Sequence, residues 1–289
     1  MKHIIDSIGQ TPLVELKYSP NPQVRICAKL EGNNPGGSVK DRAALNMIAK
    51  AMERGDIQQD TKLIEATSGN TGIALAMIAA IYGLEIEVVM PDSATAERVQ
   101  TMRAYGAKVT LLESIEVCRD YAEARGQQAG WYILNQFANA DNADAHFKGT
   151  GPEIWRDTQQ QITHFVSAMG TTGTIMGTSR FLKSQNPEIQ IVGCQPSEDS
   201  CIPGIRRWPE EYLPKIYDPS RVDRIMDVSS SQAREAARAL ARKEGIFAGM
   251  SAGGAYYAAC ALAEELSSGL IVFIVCDRGD RYLSSDLFA

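Results

Sequence analysis

The sequence has few histidines, no long hydrophobic run and no start typical of a secreted protein. Only three of its 289 residues are histidines, and none has a second histidine or cysteine at metal-ligand spacing, so we predict no metal site. The longest apolar runs are Ile73–Ile81 and Leu270–Cys276, far short of the roughly 18 residues that suggest a membrane span. No signal-peptide core follows the first residues, which favours a cytoplasmic protein.

The chain also lacks an excess of positive charge and any CxxC pair. Lys and Arg total 29 against 35 Asp and Glu, a net charge of −6. This balance argues against nucleic acid or an anionic membrane as a partner, but it allows a small anionic ligand at a local site. The six cysteines read as reduced thiols, given the absence of a secretion signal. At about 150 residues per domain, the length predicts about two domains.

What the sequence does contain is an alternation of short apolar runs and helical stretches. Many of the runs are rich in Val and Ile without polar alternation, as in strands buried on both faces of a parallel sheet. The alternation predicts an α/β fold with helices covering mostly parallel sheets. The predicted strands are 24–30, 62–66, 86–90, 109–112, 132–134, 164–168, 189–195, 224–228 and 270–276. The predicted helices are 39–54, 71–82, 94–105, 116–128, 143–158, 172–184, 231–244 and 253–266.

Glycine-rich turns stand where helices are predicted to begin. Two of them, Thr67–Gly72 and Gly170–Thr174, follow predicted strands and combine small residues with hydroxyls. Backbone N–H groups and the helix dipole make such a turn suitable for an anion. Either turn alone is more simply explained as helix capping, but two in one chain favour a ligand set with two anionic groups. Neither turn matches a nucleotide-binding loop.

Lys40 lies in a third small-residue loop, at a predicted helix start where the dipole disfavours a cation. Most lysines are solvated surface residues, and that explanation stays open. The alternative is a lysine that forms a Schiff base with pyridoxal phosphate. The cofactor phosphate and the carboxylate of an amino-acid substrate would then be the two anionic groups.

Five motifs together resemble the fold-type II pyridoxal-phosphate enzymes, and within them the cysteine synthase family of O-acetylserine sulfhydrylases. They are EGNNPGGSVKDRAA (31–44), EATSGNTGIALA (65–76), MGTTGTIMG (169–177), GIFAGMSAGGA (245–255) and CDRGDRYLS (276–284). A further segment, GIRRWPEEYLP (204–214), is similar to the B-type members. The resemblance covers nearly the whole chain. It implies a tryptophan synthase β-like architecture of two α/β domains with mostly parallel twisted sheets. We predict one domain over 36–142, with a mobile subdomain, and a second from 1–35 plus 143–289, with the cofactor in the cleft between them.

The resemblance also implies roles for individual residues. Lys40 would hold the cofactor and later remove the substrate α-proton, Asn70 would bond the cofactor's phenolic oxygen, and Ser251 would meet its pyridine nitrogen. The implied phosphate cradle consists of Gly170, Thr171, Thr172, Gly173 and Thr174. The implied substrate-carboxylate pocket consists of Thr67, Ser68, Thr71 and Gln136.

The implied reaction is β-replacement, in which O-acetyl-L-serine loses acetate to give an α-aminoacrylate intermediate and sulfide then adds to form L-cysteine. A serine at the pyridine nitrogen suits elimination better than transamination, because it cannot hold a pyridinium as a carboxylate would. Alternatives are O-phosphoserine as the amino-acid donor, a cystathionine β-synthase-like activity, or a non-catalytic metabolite-binding or regulatory module. Partners would be small molecules and a second copy of the chain in a homodimer.

Two further positions are candidates for contact with the sulfur donor. Arg206, beside Arg207, would offer a positive group to a donor such as thiosulfate, and either arginine could instead be a solvated surface residue. Cys276 ends a predicted strand, where residues facing a ligand are expected, although most cysteines are simply buried. The helix predicted at 94–105 would lie on the subdomain that closes over the site.

Overall fold

Ten strands form two sheets in the computed structural model, which describes residues 3–67 and 69–289. The strands are β1 (Leu13–Glu15), β2 (Val24–Leu30), β3 (Lys62–Ala66), β4 (Ile86–Pro91), β5 (Lys108–Leu112), β6 (Trp131–Ile133), β7 (His164–Ala168), β8 (Gln190–Pro196), β9 (Arg224–Val228) and β10 (Gly269–Val275). The α-helices are α1 (Lys40–Arg54), α2 (Asn70–Tyr82), α3 (Ala96–Ala104), α4 (Ile115–Gly126), α5 (Ala140–Ala145), α6 (Gly151–Asp157), α7 (Gly173–Gln185), α8 (Ser230–Ala239) and α9 (Met250–Glu265).

The smaller sheet has the strand order β5-β4-β3-β6 and is parallel throughout. The larger sheet has the order β1-β2-β10-β7-β8-β9, and only its edge strand β1 runs antiparallel to its neighbour. The predicted α/β class with mostly parallel sheets is therefore confirmed. The smaller sheet comes entirely from the part of the chain between β2 and β7. This location is compatible with a domain over 36–142, but it does not test the domain boundaries.

Central strands are buried on both faces, as their uninterrupted apolar sequences predict. Strand β10 reads GLIVFIV and is buried from Leu270 to Val275, between β2 and β7. Two of the predicted strands, 109–112 and 224–228, are not among those buried on both faces. They form β5 and β9, each at one edge of its sheet, and most of their residues are exposed or half-buried. An edge strand has one neighbour and needs less apolar surface, so the β-branched residues alone do not show burial.

The helix predicted over 143–158 is interrupted. Helix α5 ends at Ala145, a wider π-type turn covers His146–Thr150, and α6 follows from Gly151. Pro152 lacks the N–H that a continuous helix would need. Against this turn, α7 packs so closely that a Cβ on Gly177 would lie 1.9 Å from the Ala143 carbonyl oxygen.

A buried cluster of charges ties the first turn of α1 to β2 and α6. Arg42 Nε lies 2.7 Å from Glu31 Oε2, and its Nη1 lies 2.7 Å from Glu153 Oε1. Lys29 Nζ lies 2.8 Å from Glu153 Oε2 and donates to the Thr11 carbonyl oxygen at 2.7 Å. Paired and hydrogen-bonded in this way, the charges tolerate burial. They anchor the helix that begins with Lys40.

Two classes of feature are missing from the part of the chain that the structure describes. None of its helices is both long and apolar enough to cross a membrane. It also holds no group of three or more His, Cys, Asp or Glu side chains placed to bind a metal ion.

Candidate active site

A cavity of about 480 Å³ opens beyond the carboxyl ends of strands from both sheets. Thr67 follows β3, Gly170 follows β7 and Cys276 follows β10, so the parallel topology itself brings these distant segments together. Ser68 lies outside the described residues, and Gly173 does not line the cavity. All the other predicted site residues line it, namely Lys40, Thr67, Asn70, Thr71, Gln136, Gly170, Thr171, Thr172, Thr174, Arg206, Ser251 and Cys276.

Lys40 is half-buried at the start of α1, with its side chain on the cavity wall. Within residues 3–67 and 69–289, no carboxylate forms an ion pair with its Nζ. The preceding loop is held by Val39 N–H, which donates to the Cys276 carbonyl oxygen at 2.8 Å. The amine is thus fixed by its backbone and left available to a ligand.

The loop Gly170–Thr174 wraps the N-terminus of α7. Thr172 has φ +69°, a left-handed conformation rare for a side chain with a branched Cβ, and its buried Oγ1 has no hydrogen-bond partner among the described residues. Buried hydroxyls normally find a partner, so this orphaned atom indicates a missing acceptor. Gly173 is required by close packing, since a Cβ there would lie 2.1 Å from Asn142 Oδ1. The helix N-terminus, the orphaned hydroxyl and the crowded glycine together fit a bound phosphate.

His146, which the sequence analysis did not assign, supports this loop from behind. Its Nε2 lies 3.3 Å from Thr174 Oγ1, and its Nδ1 lies 2.8 Å from Thr150 Oγ1. Burial lowers the pKa of His146 well below its usual value, and the charges of Arg42 and Lys40 lower it further. The imidazole is therefore neutral and leaves the positive charge near the loop to the helix end.

Two residues of the predicted carboxylate pocket, Thr71 and Gln136, form one hydrogen-bonded unit. Thr71 Oγ1 donates to Gln136 Oε1 at 2.7 Å, and Gln136 Nε2 donates to the Ala66 carbonyl oxygen at 3.2 Å. Beneath it, Glu65 accepts the backbone N–H of Asn135 at 2.8 Å and of Gln136 at 3.2 Å. Burial raises the pKa of Glu65 to about 7 despite these hydrogen bonds. Glu65 thus holds the segment that carries Gln136, a role that the sequence pattern did not reveal.

Ser251 lies in the first turn of α9, buried and beside Cys276. Burial raises the pKa of the Cys276 thiol to about 11, although the Lys40 charge opposes the rise. A thiol with so high a pKa is a poor nucleophile, which fits a wall residue. The run Gly249–Gly253 also matches the G-x-S-x-G pattern of serine hydrolases, but no histidine among the described residues hydrogen-bonds to Ser251.

The two adjacent arginines differ in their surroundings. Arg207 is engaged: its Nη2 lies 2.5 Å from Asp227 Oδ2, and its Nε donates to the Pro196 carbonyl oxygen at 3.0 Å. Arg206 lines the cavity and forms no salt bridge with any described carboxylate. Arg119 of α4, which the sequence analysis missed, lines the same end of the cavity and stacks over the rings of Phe137 and Tyr212 at 5.0 and 5.8 Å.

Asn70, the first residue of α2, is held at both ends of its amide. Its Nδ2 donates to Asp277 Oδ2 at 2.7 Å, and its Oδ1 accepts from Arg281 Nη1. Asp277 is fully buried and also accepts from the Tyr282 hydroxyl at 2.7 Å. These partners follow β10, far from Asn70 in the chain, so no local pattern at Asn70 could predict them.

The comparisons with known proteins agree with this geometry. The family described as pyridoxal-phosphate dependent enzyme matches residues 4–277. The chain belongs to this family. Among pyridoxal-phosphate dependent enzymes, it is 57% identical to cysteine synthase B of Pseudomonas aeruginosa, over 99% of this chain and 97% of that protein. It is 52% identical to cysteine synthase B of Salmonella typhimurium, over 100% of this chain and 96% of that protein. The crystal structure of cysteine synthase (OASS) from Entamoeba histolytica superposes with a TM-score of 0.94 at 36% identity, covering 100% of this chain and 90% of that one.

Because the chain belongs to the pyridoxal-phosphate dependent enzymes, the cofactor of this cavity is pyridoxal phosphate. The residues present fit pyridoxal phosphate, because Lys40, whose amine pairs with no described carboxylate, lines the same cavity as the phosphate-type cradle around Thr172. The fold-type II resemblance stated from the sequence is confirmed by the family match and by the whole-chain structural similarity.

Proposed function

We propose that the chain catalyses β-replacement on O-acetyl-L-serine, with sulfide as the second substrate and L-cysteine as the product. The observation that carries the proposal is the convergence on one cavity of two hydroxyl-rich helix N-termini and Lys40, which has no ion-pair partner in residues 3–67 and 69–289. One N-terminus suits the cofactor phosphate and the other a substrate carboxylate. The cysteine synthases that match the whole chain support the same reaction.

In this proposal Lys40 would hold the cofactor through Nζ, and its amine would accept the proton from the substrate Cα. The loop Gly170–Thr174 holds the phosphate with its N–H groups and the Thr172 hydroxyl. Pyridoxal phosphate, when bound, supplies an electron sink that acidifies the substrate Cα. Ser251 offers a neutral hydroxyl at the pyridine nitrogen, which favours departure of the β-substituent over a long-lived carbanion.

The substrate carboxylate is assigned to the unit built around Thr71 and Gln136, with Thr67 beside it and Ser68 between Thr67 and the helix start. Thr71 and Gln136 are buried and bonded to each other, so they are ordered before substrate arrives. Because these side chains are already ordered, substrate binding costs them little conformational entropy. Their fixed positions also help to orient the substrate α-proton toward Lys40.

The first experiment tests the role of Lys40. Purified protein should be yellow, borohydride should bleach the colour, and the added mass should lie on the peptide that contains Lys40. Lys40→Ala should abolish turnover, whereas Lys50→Ala, an exchange on the exposed side of the same helix, should not. A protein that takes up no pyridoxal phosphate, or a Lys40→Ala variant that keeps most of its activity, would contradict the assignment.

A second experiment concerns the donors. Arg206 is assigned to an anionic sulfur donor such as thiosulfate, because it borders the cavity and pairs with none of the described carboxylates, whereas Arg207 is paired with Asp227. O-acetylserine and O-phosphoserine should each be combined with sulfide, thiosulfate and homocysteine, and the products measured. Arg206→Gln should reduce the rate with thiosulfate more than the rate with sulfide, and Arg207→Gln should not discriminate between them. Equal losses for both donors would remove Arg206 from this role.

We also propose that a mobile subdomain of the 36–142 domain, which carries the helix at 94–105, closes over the cavity against the domain formed by 1–35 plus 143–289. Helix α3 already contacts the segment after β10: Ser284 Oγ donates to Glu97 Oε2 at 2.9 Å, and Arg98 stacks over the Tyr282 ring at 5.2 Å. Closure would exclude water from the reacting centre. Protease cleavage within 94–105 should slow when O-acetylserine is added, and an unchanged rate would contradict closure.

We propose two further properties: a cytoplasmic location, which the lack of a signal-peptide core favours, and a homodimer. Sedimentation velocity of the purified protein would give its mass directly, and a single species with the mass of one chain would refute the dimer. Fractionation of cells that express the protein would test its location.

A further inference from the structure

The segment after β10 reaches across the cavity and holds Asn70 by its side chain. An amide has a donating and an accepting end, and the two look alike in shape. Here each end of the Asn70 amide contacts a group that can only accept or only donate a hydrogen bond. The Asp277 carboxylate accepts the Asn70 Nδ2 hydrogen at 2.7 Å, and the Arg281 guanidinium donates to Asn70 Oδ1. These two partners permit one orientation of the amide and exclude the flipped one.

The partners are themselves fixed. Asp277 is fully buried, and its carboxylate accepts from the Tyr282 hydroxyl at 2.7 Å. Its backbone forms an isolated antiparallel β-bridge with Ser38 in the loop before Lys40. Burial raises the pKa of Tyr282 well above its usual value, and the Asp277 charge adds to the rise, so this hydroxyl keeps its proton. Arg281 also donates to the Gly36 carbonyl oxygen, two residues before Ser38.

The carboxylate stands close to a helix end as well. A Cβ on Gly249, the N-cap of α9, would lie 2.4 Å from Asp277 Oδ1. Only glycine permits this approach, which places the negative charge at the favourable end of the dipole of α9. Within the part of the chain that the structure describes, Oδ1 has no hydrogen-bond partner, so the strong contacts of the Asp277 carboxylate are those made by Oδ2. Asp277 thus contacts α2 through its carboxylate and the loop before Lys40 through its backbone.

We propose that Asp277 and Arg281 are positioning residues, which fix the Asn70 amide so that its second Nδ2 hydrogen is presented to the cofactor. Nδ2 carries two hydrogens, and Asp277 takes one of them. The other remains for an acceptor in the cavity that Asn70 lines together with Lys40. The inference rests on the proposed contact of Asn70 with the cofactor, but not on the identity of either substrate.

The test uses the holoenzyme and a cofactor readout. Asp277→Asn preserves shape but replaces a pure acceptor with a group that can also donate, so the amide of Asn70 loses its fixed orientation. We expect a shifted visible absorption band of bound pyridoxal phosphate, weaker cofactor affinity and an approximately 10- to 100-fold fall in kcat, the range seen when partners that orient metal ligands are removed. Asp280→Asn is the matched control, since Asp280 is exposed three residues away and pairs with the exposed Arg278.

A double-mutant cycle separates positioning from general destabilisation. If Asp277 acts through Asn70, Asp277→Asn should add nothing to the spectral change and kcat loss of Asn70→Ala. Additive effects would overturn the inference. An unchanged spectrum in Asp277→Asn, beside a changed spectrum in Asn70→Ala, would overturn it while leaving the cofactor contact of Asn70 intact. An unchanged spectrum in Asn70→Ala would overturn both.

Two further variants keep the inference testable if Asp277→Asn does not fold. Tyr282→Phe removes only the hydroxyl that donates to Asp277 and keeps the ring under Arg98. Arg281→Met removes the donor to Asn70 Oδ1. Each should shift the absorption band in the same direction as Asp277→Asn, and each shift should vanish in the Asn70→Ala background. A shift that persists in that background would refute a route through Asn70.

Discussion

Replacing Arg42 by methionine tests whether the charge cluster beneath Lys40 holds α1 in place. In Arg42→Met, the buried Glu31 loses its ion-pair partner. Glu153 loses one of its two ion-pair partners, Arg42, and retains the other, Lys29. Removing one member of a buried ion pair typically costs 3–5 kcal/mol, because an uncompensated charge remains in a site of low polarity. Chemical denaturation followed by circular dichroism should show a loss of about that size at pH 7.

The pH dependence of this loss provides the sharper test. Burial alone would raise the pKa of Glu153, but its contacts with Arg42 and Lys29 outweigh burial and lower it to about 2. A native pKa below the unfolded value of 4.5 gives stability that is present above pH 4.5 and lost as the pH falls toward 2, about 3 kcal/mol at neutral pH. Without Arg42 the buried carboxylates bind protons more readily in the native state. The variant should therefore regain stability between pH 7 and 5, where this contribution in the unaltered protein stays constant.

Arg25→Met is the matched control. Arg25 pairs with Glu15 at 2.6 Å, but the side chains are 52% and 47% exposed, so the change should cost less than about 1 kcal/mol and depend little on pH. A loss in Arg42→Met no greater than in the control would refute the reasoning. So would a gap between variant and unaltered protein that is the same at pH 5 and pH 7.

Two more predictions follow from the cavity walls. Because burial raises the native pKa of Glu65 to about 7, the stability it contributes is full below pH 4.5 and lost as the pH rises through 7. Glu65→Gln cannot titrate, so the unaltered protein should lose more stability than the variant between pH 5 and 8 in urea denaturation, and parallel losses would contradict this. Gly173→Ala forces a Cβ against Asn142 Oδ1, and overpacking of about 1–3 kcal/mol should weaken pyridoxal-phosphate binding roughly 10-fold in a fluorescence titration. Ser184→Ala, at the exposed end of the same helix, should bind the cofactor normally, and equal affinities in the two variants would argue against the cradle.

Much of this architecture was predictable because its signals are local. The apolar run of β10, the glycine-rich turn before α7 and the lysine at the start of α1 each lie within a few residues of sequence. Parallel topology then brings such turns to the same edge of the sheets. The π-type turn at His146–Thr150 was not predicted, because its sequence alone does not distinguish it from a continuous helix. The turn also depends on packing against Gly177, which is distant in the sequence.

The contacts between distant segments could not be predicted. Asp277 meets Asn70 because β10 inserts between β2 and β7, and nothing at either residue encodes that register. The difference between Arg206 and Arg207 likewise depends on Asp227, which the pairing of β9 with β8 brings into range. Side chains that act on other side chains are therefore the part of the site that single-sequence reasoning misses.

The pairing of β2 with β10 has a consequence for the order in which the chain becomes structured. The smaller sheet is complete once the ribosome has released residue 133, whereas β2, at residues 24–30, finds its central partner only with residues 269–275. Long-range pairings of this kind close slowly and late. Strand β2 therefore lacks its neighbour β10 while the smaller sheet, which lies between the two strands in the sequence, folds. Strand β10, the last of the described strands in chain order, then completes the larger sheet and brings Cys276 and Asp277 to the cavity together.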